Sequence, residues 1–471
     1  MKMSKFKPYD KGQMMLLPPS ISDFIPESHL ARLVDEIVET LDTSLIEQKY
    51  NILGQKSYPP KLLLKLLFYG YCTGIRSGRK IAMRCETDTA FMYLSNMYRP
   101  DFRTINDFRK DNIEAFEVFF KEVLLMCKSL GLVKAGMISI DSTKLAANAS
   151  MSAFKTAQEY QEWEQTIDKQ IKDIIEEAER NDAKEDLEHS DLRGDEIPSE
   201  LRDLHTLKSR IKQVREQLQD KARVNFTDTD AKVIKSRKGF GVNYNCQTAV
   251  DQNGIILAGY ASNNASDKGQ LIEVLAQSEN NTGLDFDQVV ADAGYASYDN
   301  YEAIDLMGKT AYIPDQEYKQ KKQANPYHKT HFTYNPKADT YICPEGKPLS
   351  FDSIYNNKRS KQHSRLYKGT QCDLCAKRAE CTKGKSRYLH QELREGLRQK
   401  VRDRLNTLDG KLKMRQRMHL IESRFGHMKF NLKYDRLMLR GLNKVDAEYK
   451  LICTAMNLLK IFKQQQRTMM I

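Results

Sequence analysis

Three acids in this 471-residue chain stand where an acid needs a reason. Asp141 follows the apolar run 136–140 in GMISIDSTKLAANAS, and Asp292 follows a second one in FDQVVADAGYAS. An apolar strand seldom stops on aspartate unless the side chain caps a helix or works at the carboxyl edge of a sheet, where open α/β sheets hold their ligands. Neither DSTKLAANAS nor DAGYAS shows the apolar period that should follow a cap at once, so the sheet-edge reading is preferred for both. Their small neighbours leave room for a metal ion and a phosphate. The third acid is Glu422 in RQRMHLIESRFGHMKF, set in a basic stretch where residues 411–440 carry nine Lys/Arg against only Glu422 and Asp435. On a helix of 3.6 residues per turn, Met418, Ile421 and Phe425 share a buried stripe with Glu422 at its edge. Taken alone it reads as a surface acid paired to Arg415 or Arg424. Two aspartates that need a third oxygen ligand make it their partner, and such hard ligands suit Mg²⁺ or Mn²⁺.

A different chemistry is offered by Cys343, Cys372, Cys375 and Cys381. Cys372-x2-Cys375 with two further thiols can build a four-thiolate zinc site. The alternative is four free thiols in an irregular segment, since Cys375 and Cys381 are spaced more widely than a usual ligand pair.

The elements that must position these groups divide the chain. Residues 28–47 carry the i, i+3, i+4 pattern of an amphipathic helix, with Ser28 as its N-cap. Pro59 and Pro60 open a Leu-rich buried helix, and a long apolar helix over 112–130 ends at Gly131, so 1–130 reads as a helical bundle. Its Arg76, Arg79, Lys80, Arg84, Arg99 and Arg103 suit phosphate contacts or form a solvated surface. Beyond Gly131 the pattern turns α/β: strands at 136–140, 242–250 and 255–261, an Asn253-Gly254 hairpin turn, a helix near 268–278 and a strand ending at Asp292. Two insertions interrupt this core. Residues 151–222 hold apolar seams (Trp163, Ile167, Ile171, Ile174; Leu207, Ile211, Val214, Leu218) that predict an antiparallel helical hairpin. Residues 315–387 hold the four cysteines. A basic helical tail covers 388–462, and the last residues are expected to fray.

Charge narrows the partner. Lys+Arg of 75 against Asp+Glu of 63 gives +12. The hairpin has 19 acidic and 12 basic residues, 12 − 19 = −7, which leaves 12 + 7 = +19 on the rest. A basic excess of this size favours a polyanion. No apolar run is long enough to span a bilayer, no signal-peptide pattern opens the chain, and nine cysteines do not suggest a disulfide framework, so the expected compartment is the cytoplasm, with no membrane partner.

The stretches ISIDSTKLAANAS, NFTDTDAKVIKSRKGFGVNYNCQTAVD, VVADAGYAS and RMHLIESRFGHMKFNLKYDRLMLRGL, in this order, resemble the DDE transposases of bacterial insertion sequences. The helical N-terminus and the cysteine segment are similar to that group as well. The resemblance implies an α/β fold with a ribonuclease-H-like mixed-sheet core built from 131–150, 223–314 and 388–462, beside a DNA-binding N-terminal domain. It implies Asp141, Asp292 and Glu422 as the catalytic acids, holding two Mg²⁺ or Mn²⁺ ions for in-line displacement at phosphorus. Lys429, Arg415, Arg417 and Lys144 become candidate DNA contacts, although no tyrosine precedes the glutamate as it does in many relatives. The implied activity is cleavage and strand transfer at the ends of a mobile element, on terminal inverted repeats and target DNA, by a nucleoid-associated homodimer. A simple nuclease and a DNA-binding protein with a dead core are the alternatives.

Overall fold

The computed structural model describes residues 20–50, 57–188, 199–218, 222–316, 325–357 and 362–469. Both the first residues of the chain and the linker 189–198 between the two hairpin helices lie outside that set.

The N-terminal part is helical, as its periodicity predicts. The first long helix, Leu30–Thr40, buries Ala31, Leu33, Val34, Ile37 and Val38, and its N-cap is His29 rather than Ser28: the imidazole Nδ1 accepts from the Ala31 amide. Pro60 occupies the first turn of Pro60–Cys72, where a missing N–H costs nothing, and that helix is buried on nearly all sides. Ile113–Ser129 ends at Gly131, whose φ of +69° suits glycine.

The core sheet has six strands. β1 is Met137–Ala146; after two short strands, β2 (Phe154–Lys155) and β3 (Val224–Asn225), come β4 (Lys232–Ser236), β5 (Gly239–Val250), β6 (Ile256–Ser262), β7 (Gln288–Ala291) and β8 (Thr310–Tyr312). The order is β5-β1-β7-β8, with β4 and β6 both on the far edge of β5. β1, β7 and β8 run parallel, and β5 is antiparallel to β1. β4 and β8 leave little trace in the sequence, because β4 is short and mostly exposed and β8 is only three residues long. β1 corrects a further expectation: it does not stop at Asp141 but runs on to Ala146, because Thr143 and Leu145 alternate inward and 141–146 pair with 248–243 of β5.

Every residue of β6 is buried, since helix Leu271–Thr282 and the C-terminal helix Leu442–Met469 both pack on it. Gly259 makes the second contact possible: a Cβ there would lie 2.6 Å from the Cys453 sulfur. The C-terminal helix also packs on Ile113–Ser129 and Pro60–Cys72, so one apolar cluster runs from Ile25 to Ile461 through helical domain and sheet. At roughly 1.5–3 kcal/mol for each large side chain buried, this cluster is the platform on which charge can be held. The same helix continues to Met469, where fraying was expected.

Helices Ala157–Glu188 and Ser199–Glu216 pack on each other through Ile167, Ile171, Ile211 and Val214. The ion pairs Glu164–Arg215 and Asp168–Lys208 give the antiparallel sense. A second, five-stranded antiparallel sheet is formed by β9 (Thr333–Asn335), β10 (Thr340–Ile342), β11 (Pro348–Asn357), β12 (Gln362–Gly369) and β13 (Tyr388–Glu392), so it extends past residue 387. No helix among the described residues is long and apolar enough to cross a membrane.

Candidate active site

Parallel pairing of Ile140 with Ala291 sets the next residues of each strand, Asp141 and Asp292, side by side. Asp292 does serve as a cap, contrary to expectation: its Oδ1 accepts from the Gly294 amide at 2.8 Å and opens the turn Ala293–Tyr295. That turn is too short to show the apolar period of a helix, so the cap left no periodic trace in the sequence. A Cβ at Gly294 would stand 2.9 Å from Asp292 Oδ1 and 3.2 Å from Asp267 Oδ2, so glycine alone admits both carboxylates here.

Asp267 is the acid that sequence reading missed. It lies in the polar loop NNASDKG, where nothing local separates it from a solvated turn residue. Burial raises its carboxyl, but bonds from Asn245 (2.7 Å) and Gln247 (2.9 Å) and the Lys144 charge outweigh that and leave it below the usual carboxylate range. Lys144 is committed to this network: its Nζ meets Asn245 Oδ1 at 2.6 Å, Ser142 Oγ at 2.9 Å and Asp267 Oδ1 at 3.3 Å. Tyr295 closes it by donating to Gln247.

Asp141 has the opposite balance. Burial pushes its carboxyl up to about 6; Arg417 opposes the rise, and the charges of Asp292 and Asp267 add to it. Arg417, only 6 % exposed, places Nη2 2.6 Å from Asp141 Oδ2. A guanidinium thus stands on a carboxylate that burial alone would keep protonated.

Arg417 leads into the segment that carries Glu422. Here the 3.6-residue phase fails, because Met418–Glu422 and His427–Asn431 form wide π turns around one α turn, Ser423–Gly426. Ile421 and Met428 are buried as a stripe, but Met418 is exposed, and so are Arg415 and Glu422. Lys429 does not share an open face with Glu422: it is half-buried, its Nζ bonds to the Lys144 carbonyl at 2.9 Å, and burial lowers its pKa. The structure therefore brings together Asp141, Asp292, Arg417 and Lys144, and leaves Glu422 exposed at the end of a π turn. Among the described residues, no three His, Cys, Asp or Glu side chains are grouped tightly enough to hold a metal ion as they stand.

The basic residues of the helical domain have mixed fates. Arg76 stacks on Tyr434 (4.6 Å to the ring centre), reaches the buried Glu448 at 3.6 Å and bonds to the Arg436 carbonyl, which makes it a joint between domain and core. Arg84 stays on the surface beside Asp88.

Cys343, Cys372, Cys375 and Cys381 all line one cavity of about 30 Å³ in the second sheet. Backbone amides aim at two of the sulfurs: Lys347 N–H at Cys343 Sγ (3.2 Å) and Arg387 N–H at Cys372 Sγ (3.4 Å). Burial raises the Cys381 thiol, Arg387 opposes this, and the other three thiols add to it.

Residues 342–462 match the family described as Transposase DDE domain, and residues 19–111 match Transposase domain (DUF772). The first match takes in Glu422, Lys429 and the four cysteines; residues 112–341, with Asp141 and Asp292, lie between the two. No curated protein matches the chain. Two transposase models match one chain, the helical domain first and the DDE domain after it, and together they support a DDE transposase of an insertion sequence.

Proposed function

We propose that the chain is a metal-dependent transposase that cleaves DNA at the ends of an insertion sequence and joins the freed ends to target DNA. The observation that carries this reading is the adjacency of Asp141 and Asp292 at neighbouring strands, with a buried cation already on Asp141. The antiparallel β6-β5 pair beside parallel β1, β7 and β8 supports a ribonuclease-H-like core. The donor set fits Mg²⁺ or Mn²⁺, since it is oxygen only and already built to receive positive charge. Asp141, Asp292 and Glu422 are the residues that would hold the ions. When bound there, such ions would supply activation of the attacking oxygen and stabilisation of the leaving one in an in-line displacement. Arg417, displaced from Asp141, then faces the phosphate that enters with the DNA. Lys144 stays fixed by Asp267, and Lys429 and Arg415 offer backbone contacts. Two element ends need two such sites, so the working unit is a homodimer on DNA.

Purified protein, Mn²⁺ and duplexes carrying the element's own ends test the reading. Cutting followed by joining supports it; cutting without joining makes the protein a nuclease; binding without cutting makes it a DNA-binding protein with a dead core. Cleavage that survives Asp141→Asn, Asp292→Asn or Glu422→Gln removes those residues from the site.

A structural zinc ion at the four cysteines belongs to the same proposal. It is supported by four thiols around one cavity and by two N–H donors aimed at sulfur, the usual support of a thiolate. The ion would draw the thiols inward. Metal analysis of the purified protein should find one zinc per chain, lost in Cys372→Ser; a metal-free protein of unchanged stability would show four ordinary thiols.

A further inference from the structure

A second concentration of charge lies just beyond Glu422. Arg424 and His427 on the 423–431 segment meet Lys460, Lys463 and Arg467 of the C-terminal helix beside the Asn253-Gly254 turn. A Cβ at Gly254 would lie 3.4 Å from Lys460 Nζ and 3.6 Å from Arg424 Nε, so two cations close over this glycine. Among the described residues, Lys460 Nζ bonds only to the Asn253 carbonyl, at 2.5 Å. Arg424 Nε is buried and has no hydrogen-bond partner. Asp251 is the acid whose charge reaches Lys460, but its oxygens are taken by the amides of Lys134, Asn253 and Ile255. Among the described residues, none of the four cations Arg424, Lys460, Lys463 and Arg467 makes an ion pair with a carboxylate. Burial, and then Arg424, bring the Lys460 amine down to about 8, with Lys463 and Arg467 adding to the effect; His427 is lowered by burial, Arg424 and Lys463. These groups repel one another at close range.

Half-buried cations without acids cost folding free energy, and a fold tolerates them where an anion from outside completes the set. We infer that Arg424, Lys460 and their neighbours form an anion site that takes a backbone phosphate of the bound DNA, outside the carboxylate cluster. The inference rests on the transposase reading above. Arg424 lies seven residues beyond Arg417, on the same run of π and α turns. The cluster would hold the strand on one side of the scissile bond, and Gly254 keeps the approach clear.

The test is equilibrium binding of the full chain to a duplex carrying the element's ends, followed by fluorescence anisotropy in EDTA over a series of salt concentrations. Arg424→Met and Lys460→Met should each lower the slope of log affinity against log salt by about one. Each variant should melt at the same temperature as the parent or higher, since each removes a repelled charge. Unchanged slopes overturn the inference, and so does a melting temperature that falls in step with affinity, which would make the cations structural. Inorganic phosphate is the second probe. Phosphate that raises the melting temperature of the parent but not of Lys460→Met, together with lowered DNA slopes, supports the site. The same protection with DNA slopes unchanged assigns it to free phosphate and overturns the DNA assignment. Because no divalent metal is present, lowered slopes in a protein that fails to cleave with Mn²⁺ would sink the cleavage reading and leave this inference standing.

Discussion

The two sheets of this protein solve the problem of holding reactive side chains in opposite ways. The six-stranded sheet rests on an apolar cluster that extends through the helical domain and both faces of β6. The five-stranded sheet has a core of four buried residues, Phe332, Leu349, Tyr367 and Leu389. A deep core fixes strand register without help from the charges it carries. It can therefore keep Asp141 beside Asp292 and Asp267 although like charges repel. A thin core cannot impose such order, and small sheets of that kind depend on a cross-link. The four cysteines sit where a cross-link would act. Carboxylates need a scaffold, whereas thiols with a metal can be one.

The largest expected effect is on the reaction. Asp141→Asn or Asp292→Asn should reduce cleavage by at least ~10³-fold, about 4 kcal/mol of barrier, while the protein stays folded. A variant that unfolds instead would show that the carboxylates support the sheet rather than rest on it.

Linkage of Asp141 to stability comes next. Its folded pKa of about 6 lies above the ordinary 3.8, so the folded state holds this proton more tightly than the unfolded one. Stability should fall as pH rises from about 4 to about 6 and then level off, a loss of roughly 3 kcal/mol from this group. Denaturation at several pH values should show the slope in the parent and not in Asp141→Asn. Mn²⁺ at neutral pH should recover part of the loss.

A smaller effect separates the cation from the scaffold. Arg417→Gln removes the charge on Asp141, which then keeps its proton to higher pH, so the stability loss should be limited to about 2 kcal/mol, less than for breaking a buried pair that cannot neutralise itself. Mn²⁺ should stabilise this variant more than the parent, because no guanidinium has to be displaced. Equal stabilisation by Mn²⁺ would mean that Arg417 and the ion do not compete.

The smallest comparison sets Lys429→Ala against Lys411→Ala. Lys429 is half-buried on the Lys144 carbonyl, whereas Lys411 is exposed. Lys429→Ala should cost about tenfold in cleavage and Lys411→Ala less than threefold, that is about 1.4 against 0.6 kcal/mol. Equal losses would make both background charge.

Much of the fold was legible because it is written locally. Helices Pro60–Cys72 and Ile113–Ser129 follow from apolar spacing and from Pro60 and Gly131, and the β5–β6 hairpin follows from Asn253-Gly254. The short edge strands β4 and β8 carry too little pattern to be seen. Asp141 and Asp292 were found because an acid after an apolar run is unusual at short range. Their juxtaposition needed the parallel pairing of β1 and β7, whose paired residues lie 151 positions apart (291 − 140).

What the sequence determined by itself is the set of elements, the residue types at their ends and the excess of positive charge, all of which depend on spacing and composition. What only the tertiary structure decided is who partners whom. Arg417 rather than Arg415 meets Asp141, Lys144 is held by a distant Asp267, Arg424 is left among cations, and Glu422 stands apart on a π turn. The reason is physical. Helix phase and strand alternation are set by a few neighbouring residues, but the energy of a charge depends on burial and on the other charges around it, and those are assembled only when distant segments pack.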